Sequence, residues 1–167
     1  MPRALIVIDI QQDYFPGGIL PLDGAEAVET RITAAIAKAR AAGDRVVLVQ
    51  HLSPAPTGLF ATGSFGAELR PAILAAAGDA PIVIKSMADA FQDTDLARHL
   101  DGIDSLLICG MMTQNCVAFT ALSDDARGYE VTVVGDLCAA PLAVVHQIAL
   151  MGLGSKRRLA DSAALWP

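Results

Sequence analysis

Residues 4–9 read ALIVID, a run of five apolar residues that ends abruptly at an aspartate. Four further runs have the same character: RVVLVQ at 45–50, PIVIK at 81–85, SLLIC at 105–109 and EVTVVG at 130–135. These runs are continuously apolar and do not alternate, which is typical of strands buried on both faces of a parallel sheet. Residues 156–160 form a candidate sixth strand.

Helical segments alternate with these strands along the chain. Helices are predicted at 25–42, 68–77, 93–101, 115–127 and 142–153, and a loop at 52–66. Asp23 is the predicted N-cap of the first helix, and Gly43 its stop signal. Repeated strand–helix–strand units have right-handed crossovers, so the predicted fold is α/β, a three-layer α/β/α sandwich. Since 167 residues suit one domain, residues 1–167 are predicted to form a single domain.

The composition excludes several classes of protein. Hydrophobic residues make up 53% and charged residues 18%, the opposite of a disordered chain. The net charge of −6 argues against a nucleic-acid partner. No apolar run approaches the ~20 residues of a membrane-spanning helix, and no signal-peptide pattern is visible. Cysteines at 109, 116 and 138 make no disulfide framework, so reduced thiols and a cytoplasmic location are predicted.

Polar residues stand where the predicted strands end. Asp9 ends the first strand, His51 follows the second and Lys85 ends the third. Ligands of open parallel sheets bind outside the carboxyl ends of the strands, so these side chains are candidate site residues. A buried charge is unfavourable unless it is paired, and Asp9 and Lys85 can neutralise each other. The same pair could also be only a buried salt bridge.

Cys116 is the candidate nucleophile. It begins a predicted helix after the fourth strand, where backbone N–H groups and the helix dipole favour a thiolate. Cys109 lies inside a strand and is interpreted as structural. Cys138 follows the fifth strand and is ambiguous, although a structural role is favoured. The base that takes the thiol proton could be His51 or Asp9, with Lys85 stabilising the charges. His99 and His146 are interpreted as residues on helix faces.

Three blocks of sequence resemble a known family. They are DIQQDYF at 9–15, IKSMADAF at 84–91 and GMMTQNCVAFTALSDDARGYEVTVVGDLCAA at 110–140. In this order they are similar to the signature blocks of the isochorismatase-like cysteine hydrolases. The resemblance implies a catalytic triad of Asp9, Lys85 and Cys116. It also implies a six-stranded parallel sheet in the order 3-2-1-4-5-6. A cis peptide between Met111 and Met112 would aim the N–H groups of Met112 and Cys116 at one point, as an oxyanion hole.

The resemblance further implies hydrolysis of a C–N bond in a small amide or ureido compound, through a thioester on Cys116. Isochorismatases proper lack this cysteine. Nicotinamidases of the family carry an Asp-x-His metal pair after the second strand, where this chain has His51 and Ser53. Because a lone histidine with a serine is a poor divalent site, we predict no metal and no cofactor.

The substrate pocket and the assembly are predicted less directly. Gln11 could hold a substrate amide or only satisfy the turn after the first strand. Phe15 and Phe91 could form pocket walls or belong to the core. The partner expected is a small-molecule substrate. Because relatives assemble and the chain is apolar, a homo-oligomer is also predicted.

Other interpretations of the sequence remain open. A binding or assembly protein could keep the fold without turnover, although Asp9, Lys85 and Cys116 would then have no reason to be present together. A nucleotide-binding module needs a glycine-rich turn after the first strand, which is missing. An aspartyl-phosphate enzyme would require an acid at position 11, which is Gln11. A redox pair of Cys116 with Cys109 has doubtful geometry.

Overall fold

A computed structural model describes all residues, 1–167, and places a six-stranded sheet at the centre. All strand pairs are parallel, in the order β3-β2-β1-β4-β5-β6. The strands are β1 (Arg3–Ile8), β2 (Arg45–His51), β3 (Ile82–Lys85), β4 (Ser105–Met111), β5 (Glu130–Ala139) and β6 (Arg158–Ala160). The predicted fold class and strand order are therefore confirmed.

Helices pack around this sheet. They are α1 (Ala25–Ala41), α2 (Pro71–Ala77), α3 (Ala118–Leu122), α4 (Ala143–Gly154) and α5 (Ser162–Leu165). All seven residues of β4 are buried, and so are five of the six in β1, because these strands lie side by side in mid-sheet. The strand order reverses between β1 and β4. This reversal creates a crevice at the carboxyl ends of the strands, where such folds bind ligands.

The prediction of one continuous helix at 115–127 is wrong. The chain makes one π-helical turn, Thr113–Val117, then the short α3, and then a 3-10 turn, Asp124–Gly128. Ser123 separates the last two with an extended backbone, φ −52° and ψ 143°. Its hydroxyl accepts a hydrogen bond from the Asp125 N–H at 3.3 Å. A serine side chain that bonds to nearby backbone competes with continuation of the helix, which explains the break.

Three other sequence predictions differ from the structure. The helix predicted at 93–101 is a 3-10 helix over Leu96–Leu100. Asp23 does not cap α1, because Gly24 holds the N-cap position with φ 65°. β5 runs four residues beyond its predicted end at Gly135, since its last residues pair again with β4 after a shift in register at Gly110. The shift and the extra residues of β5 support the chain where β4 leads into the π-helical turn.

Candidate active site

The three residues of the predicted triad meet at the crevice. Asp9 follows β1, Lys85 ends β3 and Cys116 lies in the π-helical turn after β4. The Lys85 Nζ lies 2.9 Å from Asp9 Oδ2 and 3.2 Å from Cys116 Sγ. The Asp9 and Lys85 side chains are closed to solvent, and Cys116 is 2% exposed. A carboxylate, a cation and a thiol are thus held together in a site that is closed to solvent.

The backbone at the two ends of this site is unusual. Asp9 has a φ of 54°, in the left-handed region that few non-glycine residues adopt. Its N–H donates to the Val49 carbonyl at 3.0 Å, which ties the Asp9 backbone to β2. The peptide between Met111 and Met112 is cis, so this prediction from the family resemblance is confirmed.

The π-helical turn that carries Cys116 is also anchored to α4. Thr113, fully buried, makes a hydrogen bond of 2.8 Å between its Oγ1 and His146 Nδ1. Within the turn, the Val117 N–H donates to the Met112 carbonyl at 3.3 Å. His146 therefore has a role that its helix-face assignment did not reveal: it fixes the position of the turn that carries Cys116.

Burial dominates the electrostatics of Asp9 and Cys116. It raises the pKa of Asp9, against the nearby Lys85 ammonium, which lowers it. Burial also raises the pKa of Cys116 to about 12, with a further rise from the Asp9 charge and an opposing effect of Lys85. The resting cysteine is consequently a thiol. A carboxylate whose pKa is raised is a stronger base for taking its proton.

His51 bonds to the lysine. Its Nδ1 lies 2.8 Å from Lys85 Nζ, and the two residues are direct partners in the register of β2 and β3. Burial, together with the Lys85 charge, lowers the pKa of His51 to about 4, so the imidazole is neutral near pH 7. Since this nitrogen accepts from Lys85, Asp9 is the better placed base for Cys116.

The same residues bear on metal binding. Asp9, His51 and Cys116 bring ligand-type atoms within 4.8 Å of one another. The Lys85 ammonium, however, contacts an atom of each of these side chains. Ser53, which stands at the second position of the family's metal pair, is a weak ligand whose Oγ already accepts a backbone hydrogen bond. This donor set does not fit a divalent metal.

The predicted pocket residues lie in different surroundings. The Gln11 amide donates to the carbonyls of His51 and Ala67 and accepts from the His51 N–H. These bonds favour the alternative that Gln11 satisfies local backbone groups. Phe15 is buried beneath the Arg70 guanidinium, 4.1 Å from the ring centroid, which favours its core interpretation.

Phe91 lies away from the triad. Its ring stacks on Tyr129 at 6.4 Å between centroids, and Tyr129 precedes β5, at the amino end of the strands. This placement favours the core interpretation of Phe91 as well. A role in substrate binding stays a prediction for Phe15 and Phe91.

Three residues near the site were not among the candidate site residues chosen from the sequence. Tyr14 is buried, and burial followed by the charges of Asp9 and Cys116 raises its pKa. Phe60 packs against it at 4.8 Å and lies 5.6 Å from the His51 ring. Asp13 holds Phe60 there by accepting its N–H at 2.8 Å. The only sequence signal for these three residues was the aspartate and the tyrosine that follow shortly after Asp9. The loop that carries Phe60 has no regular pattern.

The largest cavity lies elsewhere. Its volume is about 650 Å³, and its lining includes Ser105, Thr132 and Arg158 at the amino ends of β4, β5 and β6. No cysteine lines it, so the chemistry of the triad, and not cavity size, locates the candidate active site.

Comparison with known proteins agrees with this geometry. The family model described as the isochorismatase domain matches residues 3–160. The chain belongs to the isochorismatase family. Among curated isochorismatase relatives, the uncharacterized family protein YddQ of Bacillus subtilis is 33% identical over 142 residues, covering 83% of this chain and 78% of that protein. The nicotinamidase of Escherichia coli is 28% identical over 176 residues, covering 82% and 83%.

Among solved structures, a putative isochorismatase hydrolase from Oleispira antarctica superimposes with a TM-score of 0.90. It is 33% identical in sequence, and the match covers 98% of this chain and 95% of that one. The isochorismatase-family chain is therefore a hydrolase with the fold of its relatives.

Proposed function

We propose that the protein hydrolyses the C–N bond of a small amide or ureido compound through a thioester on Cys116. The observation that carries the proposal is the contact of one buried ammonium, Lys85, with both the Asp9 carboxylate and the Cys116 sulfur. The relationship to a nicotinamidase supports an amide as the substrate class. The fully buried Asp9 supplies the base that such a thiol needs.

The reaction then runs in two halves. Asp9 takes the proton of Cys116, and the thiolate attacks the substrate carbonyl carbon. The N–H groups of Met112 and Cys116 bind the oxyanion that forms. Asp9 returns the proton to the leaving nitrogen, the C–N bond breaks and ammonia or an amine departs. A water molecule then gives a proton to Asp9 and attacks the thioester. The C–S bond breaks, the acid leaves and Cys116 regains its proton. Lys85 stabilises the negative charge wherever it lies in this cycle.

Replacement of the nucleophile tests the proposal. We expect Cys116→Ala to lower ammonia release from a panel of small amides and ureido acids by more than about a thousandfold. Cys138→Ala is the matched control, since Cys138 is also a buried free cysteine but lies in β5 with its thiol on the Val134 carbonyl. The control should keep its activity. Full activity in Cys116→Ala would contradict the mechanism and favour a protein of this fold without turnover at Cys116.

We also propose that the hydrolase, one domain over residues 1–167, acts as a homo-oligomer. Helix α4 supports this, because only Leu153 of its twelve residues is buried. Val144, Ile148 and Met151 in this helix, and Leu142 just before it, are all largely exposed. An exposed apolar surface of this kind marks an interaction site. No charged side chain interrupts residues 142–155, so a second copy meets no repulsion there although the chain carries a net charge of −6.

We propose a cytoplasmic location because all three cysteines are free thiols. No helix in the structure has both the length and the apolar character that crossing a membrane requires.

A further inference from the structure

The largest cavity is rich in positive charge although the chain is acidic. It has a volume of about 650 Å³ and lies at the amino ends of β4, β5 and β6, at the opposite end of the sheet from the triad. Its lining contains one acid, Glu130, and four basic residues, Arg3, Lys156, Arg157 and Arg158. The chain has twelve lysines and arginines against eighteen acids, so a third of its cations line this one cavity.

Three of these four cations have no counter-ion within the chain. Arg3 is neutralised, because its guanidinium donates to both carboxylate oxygens of Asp44, at 2.9 and 2.7 Å. None of the ion pairs in the structure includes Lys156, Arg157 or Arg158. The cavity therefore has an excess of positive charge that the protein itself does not balance.

Arg157 is a cation held in a fixed position. It is only partly exposed, and its Nε donates to the Ala121 carbonyl in α3 at 2.7 Å. This leaves both of its Nη groups free to donate to an anion, in the fork geometry that phosphate and carboxylate groups accept. A partly buried charge is unfavourable unless an opposite charge lies nearby. The Arg157 guanidinium thus has the position and the free donors of an anion-binding group.

The end of α4 does not account for these cations. Basic side chains after a helix can donate to its last carbonyl groups. Here the backbone N–H groups of residues 155–157 already donate to the carbonyls of Gly152 and Leu153. The side chains of the basic residues that follow α4 are therefore available for another partner.

The floor of the cavity is formed by buried residues of β4 and β5. Leu107 and Val131 give it an apolar surface. Thr132 is 5% exposed, and its hydroxyl has no hydrogen-bond partner within the chain. Small-molecule sites are typically concave, about 300–1,000 Å³ in volume, and largely apolar with a few polar groups. This cavity has the size and the lining of such a site.

We propose that the cavity binds a small polyanion whose charges are phosphate or carboxylate groups. Lys156, Arg157 and Arg158 bind the anionic groups. The Thr132 hydroxyl donates a further hydrogen bond, and the apolar floor contacts the carbon skeleton. Because the triad lies at the other end of the strands, this molecule is a second ligand and not the substrate.

Isothermal titration calorimetry with inorganic pyrophosphate and, separately, with citrate tests the site. We expect the wild type at low salt to bind at least one of them with a Kd below about 1 mM. Lys156→Gln/Arg158→Gln should weaken this binding by about tenfold or more, because two charged donors are lost. Arg98→Gln/Arg127→Gln is the matched control, since it removes two exposed arginines that do not line the cavity. Its affinity should stay within about threefold of wild type.

A third variant tests the opposite direction. Glu130→Gln removes the only negative charge of the lining, so it should strengthen binding by about threefold. A preference for pyrophosphate would identify a phosphorylated ligand, and a preference for citrate a carboxylate ligand.

Three results would overturn the proposal. They are a wild type that binds neither anion below about 1 mM, an equal loss of affinity in the two double variants, and unchanged or weaker binding in Glu130→Gln. None of these measurements needs turnover, so their outcome is independent of the proposed hydrolysis at Cys116.

Discussion

At the scale of single residues, the site depends on an ion pair that is closed to solvent. Neither oxygen of the Asp9 carboxylate has a well-aligned hydrogen-bond donor, and its one close cation is Lys85 at 2.9 Å. Burial of an ion is unfavourable by several kcal/mol, and a partner at contact distance offsets only part of this. The site thus keeps a base of raised pKa at the expense of stability.

Replacement of Lys85 should show how much its ion pair with Asp9 contributes to stability. We expect Lys85→Met to lower the free energy of unfolding by about 3–5 kcal/mol at neutral pH, because a buried carboxylate is left without a counter-ion. The double variant Asp9→Asn/Lys85→Met should recover most of the loss. Urea unfolding of the wild type, the single variant and the double variant measures both effects.

The pH dependence of the Lys85→Met variant has a definite sign. Burial raises the pKa of Asp9 and Lys85 lowers it, so its removal raises that pKa further. The folded variant then keeps a proton that the unfolded chain releases near pH ~3.9, and its stability falls as pH rises above that value. The destabilisation should be smaller at pH 5 than at pH 7.5. An equal loss at the two pH values would contradict the assignment of the effect to Asp9.

At the scale of elements, the end of β4 sets the direction of the π-helical turn that carries Cys116. Gly110 lies where the register between β4 and β5 shifts, and it has a φ of 122°. A Cβ at this position would meet the backbone of Ile8 in β1. Close approach of the two central strands, and with it the placing of Cys116 beside Asp9, therefore requires a residue without a side chain.

A methyl group at this position should be disruptive. We expect Gly110→Ala to lower the free energy of unfolding by more than about 2 kcal/mol, through the clash with Ile8 and the unfavourable φ. Gly128→Ala serves as the control, since a Cβ there meets nothing within 4 Å. Urea denaturation of the two variants compares them. Similar unfolding midpoints would show that β1 and β4 can move apart with little loss of stability.

At the scale of the whole molecule, the surface is uneven in polarity. The chain carries a net charge of −6, yet α4 exposes an apolar face to solvent. This face includes Met151, which is 78% exposed. The same helix holds the π-helical turn through the hydrogen bond between His146 and Thr113. A second copy that covered α4 would thus lie next to the element that supports Cys116.

A single charge on α4 should separate the copies. We expect wild-type protein to run as a dimer or larger assembly in size-exclusion chromatography with light scattering, and Ile148→Glu to run as a monomer. Ile19→Glu is the matched control, because Ile19 is 60% exposed against 64% for Ile148 but lies in the loop after β1. A monomeric wild type, or dissociation by both substitutions, would contradict the assignment of the interface to α4.

The sequence by itself determined the strands of the sheet and the residues that end them. Buried parallel strands must be continuously apolar, so polar residues such as Asp9 and Lys85 stand out at their ends. The strand order and the pairing of these residues with Cys116 came from the family resemblance, because periodicity carries no information on which strands are neighbours. Local signals were weaker: the predicted cap at Asp23 was wrong, since Gly24 holds that position.

Only the tertiary structure decided the partners of the polar groups. Gln11 bonds to backbone 40 residues away, and His51 bonds to Lys85 rather than to the thiol. Each of these contacts depends on the register between neighbouring strands, which a local pattern of residues does not encode. The pKa values of Asp9, His51 and Cys116 follow from the same contacts and from burial. The residues of the site could therefore be named from the chain, but the distribution of protons among them follows from their packing.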